Sequence, residues 1–497
     1  MGCGRPVTLL AGAAEGDITP PFPVDLLGYV RRPLAARGAY DALMATACVF
    51  RDPASETTVV VIGADVVGLT TPMADRIRAR VGELVGCDPA AVLLNSSHTH
   101  AAPWPGATIK LGGEFDEWTE TELRYCDSIP DRYASVALEA VRRLAPARVS
   151  GGVGQAPGLA VNRRERTADG RTILGWNREG VRDDSVVAIR VDGLDGAPLD
   201  SDAIATLVSF ACHPVVIGPD VAGAGPDFVG PLRDSMAGEG LRPGAVTVFL
   251  QGAAGDALPL EAFRDDGEEG EAALLSALHV GERIALEAVH AVADAHPWTV
   301  EIDRSDWGSV TPISLYRRRL AEHQPPQVLR TARRIVSLPL LDLPPIEDLR
   351  RELDERRADL EARTSRGETR VTMNPIRYHI SWLELQLRQD ADGGRATAID
   401  GEIWAARIGD CAIVGAPGEI FGAIGTAVRR QSPAPVTIFA GYSQGSLGYV
   451  ATPDEYPHGG YEPSVSHRGY GQPAPFSPEV AGSIERTAVD LLKELFA

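Results

Sequence analysis

The feature that most constrains this chain is a unit that recurs along it: an apolar run of strand length that stops abruptly in small and polar residues. "TTVVVIGADVVGL" (57–69), "AAVLLNSSHTH" (90–100), "IATLVSFACHP" (204–214), "AVTVFLQGAAGD" (245–256), "IWAARIGDCAIVGAPGE" (403–419) and "PVTIFAGYSQG" (435–445) share this form. Short uninterrupted apolar runs rich in Val and Ile predict buried strands. Between them stand stretches such as "PMADRIRARVGELVG" (72–86), whose apolar residues recur with the 3.6-residue period of a helix. The alternation predicts an α/β fold. In such folds the loops at strand ends aim side chains into a crevice, so the chemistry is sought there.

Two segments break the pattern. "PPIEDLRRELDERRADLEARTS" (344–365) reads as a highly charged helix with many i,i+4 pairs, and "MNPIRYHISWLELQLRQ" (373–389) as a second helix packed by Ile376, Ile380, Leu383 and Leu387. Together they predict a helical hairpin over about 344–390, inserted between sheet elements. No low-complexity linker and no short fixed repeat interrupts the sequence, so residues 1–497 read as one domain with that insertion.

Charge narrows the partners. Forty-eight Lys and Arg stand against 68 Asp and Glu, a formal net charge of −20, which repels nucleic acid and anionic membrane surfaces. No stretch reaches the roughly 18 apolar residues of a membrane span. The N-terminal "MGCGRPVTLLAGAAEGDITPP" has a short apolar stretch followed at once by Glu15 and Asp17, and Pro6 breaks a myristoylation pattern. The reading is a soluble cytoplasmic protein without stable membrane association. The six cysteines are scattered without a CxxC pair and read as free thiols, Cys212 and Cys411 as core residues. A single sequence identifies no symmetric interface, so the oligomeric state stays open.

Candidate site residues fall at the strand ends. On a strand, His98 and His100 would share one face, which suits two nitrogen ligands, or a ligand and an acid/base; a hydrogen-bonded loop detail is the plainer alternative. His213 in "FACHPVV" and Glu419 in "VGAPGEIF" occupy similar positions, and each alone fits a purely structural role. Together, His, His and Glu are the nitrogen and oxygen ligands that suit zinc with an open position. Such a site would activate water and polarise a carbonyl.

The motifs "GAAEGDITPPFPVDLLGY", "LLNSSHTHAAPWPG", "AVNRRER", "FACHPVV", "QGAAGDALP", "VGAPGEIF" and "GYVATPDEYPHGGYE" occur in the order of those of the neutral/alkaline, non-lysosomal ceramidases. The chain resembles their catalytic N-terminal domain, as seven islands from residue 10 onward. Those enzymes are zinc amidases that cut the N-acyl bond of ceramide. The resemblance implies mixed β-sheets at the centre with helices outside. It implies one Zn2+ per chain, bound by His98, His213, Glu419 and Tyr449. His100 would then act beside the metal as acid/base, Arg163 and Tyr461 would support a negative oxygen, and Asp256 would orient a ligand histidine or stabilise its turn.

Two departures qualify the substrate. Where the ceramidases carry a nucleophilic serine after Gly-Asp, this chain reads "GDALP", with Leu258 in the serine's place. Ser443 and Ser446 are nearby hydroxyls that read as turn residues. The ceramidases also carry an immunoglobulin-like domain after the catalytic one, whereas this chain ends in an amphipathic helix. The expectation is a zinc-dependent hydrolase of an amide bond in a small soluble molecule, with metal-bound water as nucleophile. Acyl or ester transfer in a tailoring enzyme of specialised metabolism, and metal binding without turnover, are the other readings.

Overall fold

The computed structural model describes residues 9–497 apart from 33, 111–113, 116, 195–202, 239–244, 263–270, 294–297, 304–314 and 321–326. Eight strands form a mixed sheet in the order Val246–Gln251, Ala203–Phe210, Ser185–Gly193, Ala145–Gln155, Leu10–Asp17, Met44–Asp52, Thr57–Ala64, Val92–Ser96. Four more, Leu329–Pro339, Ala398–Ile408, Cys411–Gly415 and Val436–Ala440, form a second sheet in that order.

Side chains along a strand alternate between two faces, and here both faces are buried. Phe50, Val61, Leu93, Ile189, Leu207 and Val248 of the large sheet share one apolar cluster with Trp404, Ile413 and Ile438 of the small one, so the sheets pack face to face. Their sequence neighbours Val49, Val60 and Leu94 point the other way, onto helices Thr71–Val85 and Glu120–Arg142. Val186, Val208 and Phe249 meet helices Val229–Ala237 and Glu271–Ala293. Behind the small sheet, Ile403, Val414 and Phe439 meet helices Gly422–Gln431 and Glu479–Phe496. The layers run helix, sheet, sheet, helix. That burial explains why the sequence shows continuous apolar runs rather than polar–apolar alternation, and it is the mixed-sheet, helix-flanked α/β architecture expected.

Three parallel strand pairs deliver their C-terminal ends to one place. They are Thr57–Ala64 with Val92–Ser96, Ala203–Phe210 with Val246–Gln251, and Cys411–Gly415 with Val436–Ala440. The Asn95 side chain clasps them: its Nδ2 donates to Gly441 O (2.5 Å) and Ser443 Oγ (3.1 Å), and its Oδ1 accepts from Gln251 N (2.7 Å). Gly63 permits the approach, because a Cβ there would stand 2.2 Å from the Phe249 carbonyl oxygen.

The helical hairpin is Ile346–Ser365 and Arg370–Ala391, closed by Leu349, Leu353, Trp382 and Leu383 against Ile109. Among the described residues no helix is long and apolar enough to cross a membrane. Cys48, Cys87, Cys126, Cys212 and Cys411 are free thiols; Cys3 lies outside the described residues.

Candidate metal centre

The strand expected over 90–100 ends at Ser96, so the paired histidines do not share a strand face. Ser97 N and His98 N bond to Ala64 O and Val66 O, and His98 then turns left-handed at φ 67°. This backbone costs about 1–2 kcal/mol and is offset locally, because the His98 ring Nδ1 meets Val67 O at 2.6 Å. His100 sits in a fitted cradle. Gly28, at φ 105°, leaves its ring room that a Cβ would fill, at 2.5 Å from the ring. The Tyr29 ring packs edge-on at 4.9 Å, and Arg32 Nη2 donates to His100 O at 3.1 Å. His213 follows the strand Ala203–Phe210, its Nδ1 facing Ala254 O (2.7 Å) and Ala257 O (3.1 Å). Glu419 lies on the two-residue strand Glu419–Ile420, in parallel register with Tyr449.

These contacts fix where the protons are. A carbonyl oxygen accepts only, so Nδ1 of His98 and of His213 must carry the N–H, which leaves an electron pair on each Nε2 in the neutral ring. Burial, with the Arg163 charge adding to it, lowers the His213 pKa to about 4, so that ring is neutral. Its Nε2 accepts from Arg163 Nη1 (3.1 Å) yet stands 3.0 Å from Glu419 Oε2, which also lies 3.4 Å from His98 Nε2. Electron pairs thus converge in a buried space, which suits a cation. The His100 Nε2 is 3.2 Å from that of His98, and the three imidazoles present nitrogens within 4.8 Å of one another. This buried group has the donors to hold a metal ion.

The remaining expected residues surround this cluster in different ways. Arg163 is buried, with Nε donating to Glu462 Oε1 (2.7 Å) and its guanidinium 5.0 Å from the Tyr449 ring centre. The Tyr461 ring lies 5.6 Å from that of Tyr449, and the residue is 40% exposed. Asp256 has other partners than the ligand histidine assigned to it. Its Oδ1 accepts from Gly422 N (2.8 Å) and its Oδ2 from Asn162 Nδ2 (3.0 Å). The His213 ring is oriented by main-chain carbonyls instead, because Asp256 turns toward the start of helix Gly422–Gln431. Leu258 is buried with Val215 and Ala262, against Tyr29. Ser443 Oγ donates to the turn carbonyls of Ala440 and Gly441, each at 3.1 Å.

Three residues escaped the sequence reading. Tyr442 O–H donates to Glu419 Oε2 (3.4 Å) with its ring 4.5 Å from that of His98; it follows the strand Val436–Ala440, so the strand-end rule could have found it. Glu462, beside Tyr461, binds both Arg163 and Arg164. Tyr470 donates to Glu419 Oε1 from a short turn that carries no periodic signal.

No protein-family model and no curated protein matches this chain. Solved structures do match. The neutral ceramidase from Pseudomonas aeruginosa superposes with a TM-score of 0.67 at 17% identity, over 99% of this chain and 75% of that one. A ceramidase complexed with C2 gives 0.66 at 16% identity, again over 99% and 75%. The chain therefore has the neutral ceramidase fold, and it spans about three quarters of those chains' length.

Proposed function

We propose that this protein is a zinc-dependent hydrolase of an N-acyl amide bond, acting on a small soluble molecule. The observation that carries the reading is the meeting of His98 Nε2, His213 Nε2 and Glu419 Oε2 in one buried space, with Arg163 at its side. His98, His213 and Glu419 would hold the ion, with Tyr449 beside Glu419 as the further ligand. When bound, zinc would polarise the scissile carbonyl and activate water.

The chain's own groups do the rest. Arg163 and Tyr461 donate to the oxygen that gains negative charge, the role of a preorganised oxyanion site. His100 Nε2 carries the proton toward the leaving nitrogen, its ring set by Gly28, Tyr29 and Arg32. Leu258 offers no nucleophile, and its neighbours Val215 and Ala262 make that wall apolar, which supports attack by water. The net charge of −20 argues against work at an anionic membrane and supports a soluble substrate.

Metal analysis of the purified protein, with a panel of N-acyl amides and esters run with and without chelator, tests the reading. The expected result is one zinc per chain and chelator-sensitive cleavage of small amides. Absence of a stoichiometric divalent ion, with unchanged behaviour of His213→Ala, would end it. Ceramide analogues turning over as fast as small amides would overturn the substrate assignment.

A further inference from the structure

The two oxygens of the Glu419 carboxylate have different partners. Oε2 faces His213 Nε2 (3.0 Å), His98 Nε2 (3.4 Å) and the Tyr442 hydroxyl (3.4 Å). Oε1 accepts a hydrogen bond from the Tyr470 hydroxyl. Tyr470 closes the short turn Ser466–Tyr470, and its ring is gripped from several sides. The Trp104 ring stands edge-on at 5.4 Å and the Tyr449 ring at 6.2 Å. Gly448, at φ 89°, leaves space for it, since a Cβ there would stand 3.1 Å from the Tyr470 ring.

The next two residues are pinned by the helical hairpin. Trp382 Nε1 donates to Gln472 O (2.8 Å) and Gln386 Nε2 to Gly471 O (3.1 Å). Trp382 and Gln386 are four apart on the helix Arg370–Ala391, so one face of it reaches both carbonyls. The hairpin is thus hydrogen-bonded to the chain segment that carries a partner of Glu419.

We propose that Tyr470 is a positioning residue that limits Glu419 to one-oxygen presentation, and that the hairpin keeps Tyr470 in place to do so. The proposal rests on the metal reading above. A carboxylate with both oxygens available can bind a cation through one or through both. With Oε1 engaged by a hydroxyl, Oε2 alone faces the histidines, and an ion held there through one oxygen would keep a position open for substrate. On this account the hairpin, which the sequence reads as an insertion between sheet elements, would act on how Glu419 meets the ion.

The test uses the full chain loaded with Co2+, whose visible absorption weakens as its coordination number rises. Tyr470→Phe keeps the ring and removes the hydroxyl; Trp382→Phe removes the donor to Gln472 O. The expected result for Tyr470→Phe is retained stoichiometric metal, a weaker visible band, and metal affinity or turnover altered by about 10–100-fold. Trp382→Phe should move the band the same way by less, with melting curves confirming that the fold is kept. If Tyr470→Phe fails to fold, Trp382→Phe carries the test. An unchanged band in a folded variant overturns the proposal while leaving the metal reading intact. A wild-type chain that binds no Co2+ overturns both.

Discussion

The histidine side and the carboxylate side of the site are held by different means. On one side, main-chain carbonyls of Val67, Ala254 and Ala257 orient the His98 and His213 rings. On the other, Glu419 takes its orientation from the side-chain hydroxyls of Tyr442 and Tyr470. Carbonyls belong to the fold and survive any side-chain substitution at their own residues, so the histidine side is as stable as the strand ends that carry it. The carboxylate side depends on hydroxyls that a single substitution deletes. The difference teaches where the site is fixed and where it can be tuned.

The most damaging change is on the fixed side. His213→Ala would remove one of the proposed ligands, and with it the ring that stands between Glu419 and the Arg163 guanidinium. Bound metal should be lost on dialysis, and kcat/KM should fall by about 10³ or more, matching several kcal/mol of lost charge stabilisation. Metal analysis with steady-state kinetics checks this. Retention of full metal content would break the comparison, since the histidine side would not be what holds the ion.

A smaller effect is expected where the backbone shapes the site without touching the ion. Gly28→Ala introduces a Cβ at φ 105° that meets the His100 ring at 2.5 Å. Displacing a reacting group by about 1 Å costs on the order of 10² in rate. The variant should therefore keep its metal and lose turnover by that order. Loss of metal instead would make His100 a ligand rather than a proton carrier, which the 3.2 Å contact between the His98 and His100 nitrogens would also permit.

Leu258→Ser probes the apolar wall beside the histidines. The hydroxyl would enter the cluster of Val215, Ala262 and Tyr29 and cost about 1–3 kcal/mol of stability, as a buried polar group does without a good partner. Chemical denaturation measures the loss. A variant that gained activity instead would break the assignment of water as nucleophile and show that the apolar wall had replaced a catalytic group.

Much of this was legible in the sequence because strand ends announce themselves. Apolar runs that stop in small and polar residues located His98, His213 and Glu419, and the doubly buried strands left continuous Val and Ile rather than alternation. The resemblance supplied Arg163 and Tyr461, which lie in a basic cluster and a Gly-rich loop and show no pattern of their own. The left-handed turn at His98 was not legible: it is set by hydrogen bonds to Ala64 and Val66, which are distant in sequence. Tyr470 was hidden for a similar reason, because its role comes from a hairpin docking on a turn about ninety residues away.

The smallest effect concerns Asp256, which stands between the two sides, since Gly422 N follows Glu419 closely and the Asp256 main chain accepts from Arg163 N. Burial raises its pKa to about 7, against the hydrogen bond from Gly422 that lowers it. A carboxyl whose folded pKa lies above its unfolded one stabilises the fold in its protonated form. That contribution is complete below about pH 4 and is lost as pH rises through about 7. Asp256→Asn cannot ionise, so it escapes this loss, but its amide must turn an N–H toward Asn162 Nδ2, itself a donor. The variant should melt below wild type at pH 5, and the gap should narrow by about 2 °C by pH 8. A gap that stays constant would show that Asp256 is ionised throughout, and that the start of helix Gly422–Gln431 is held by a charge rather than by a neutral carboxyl.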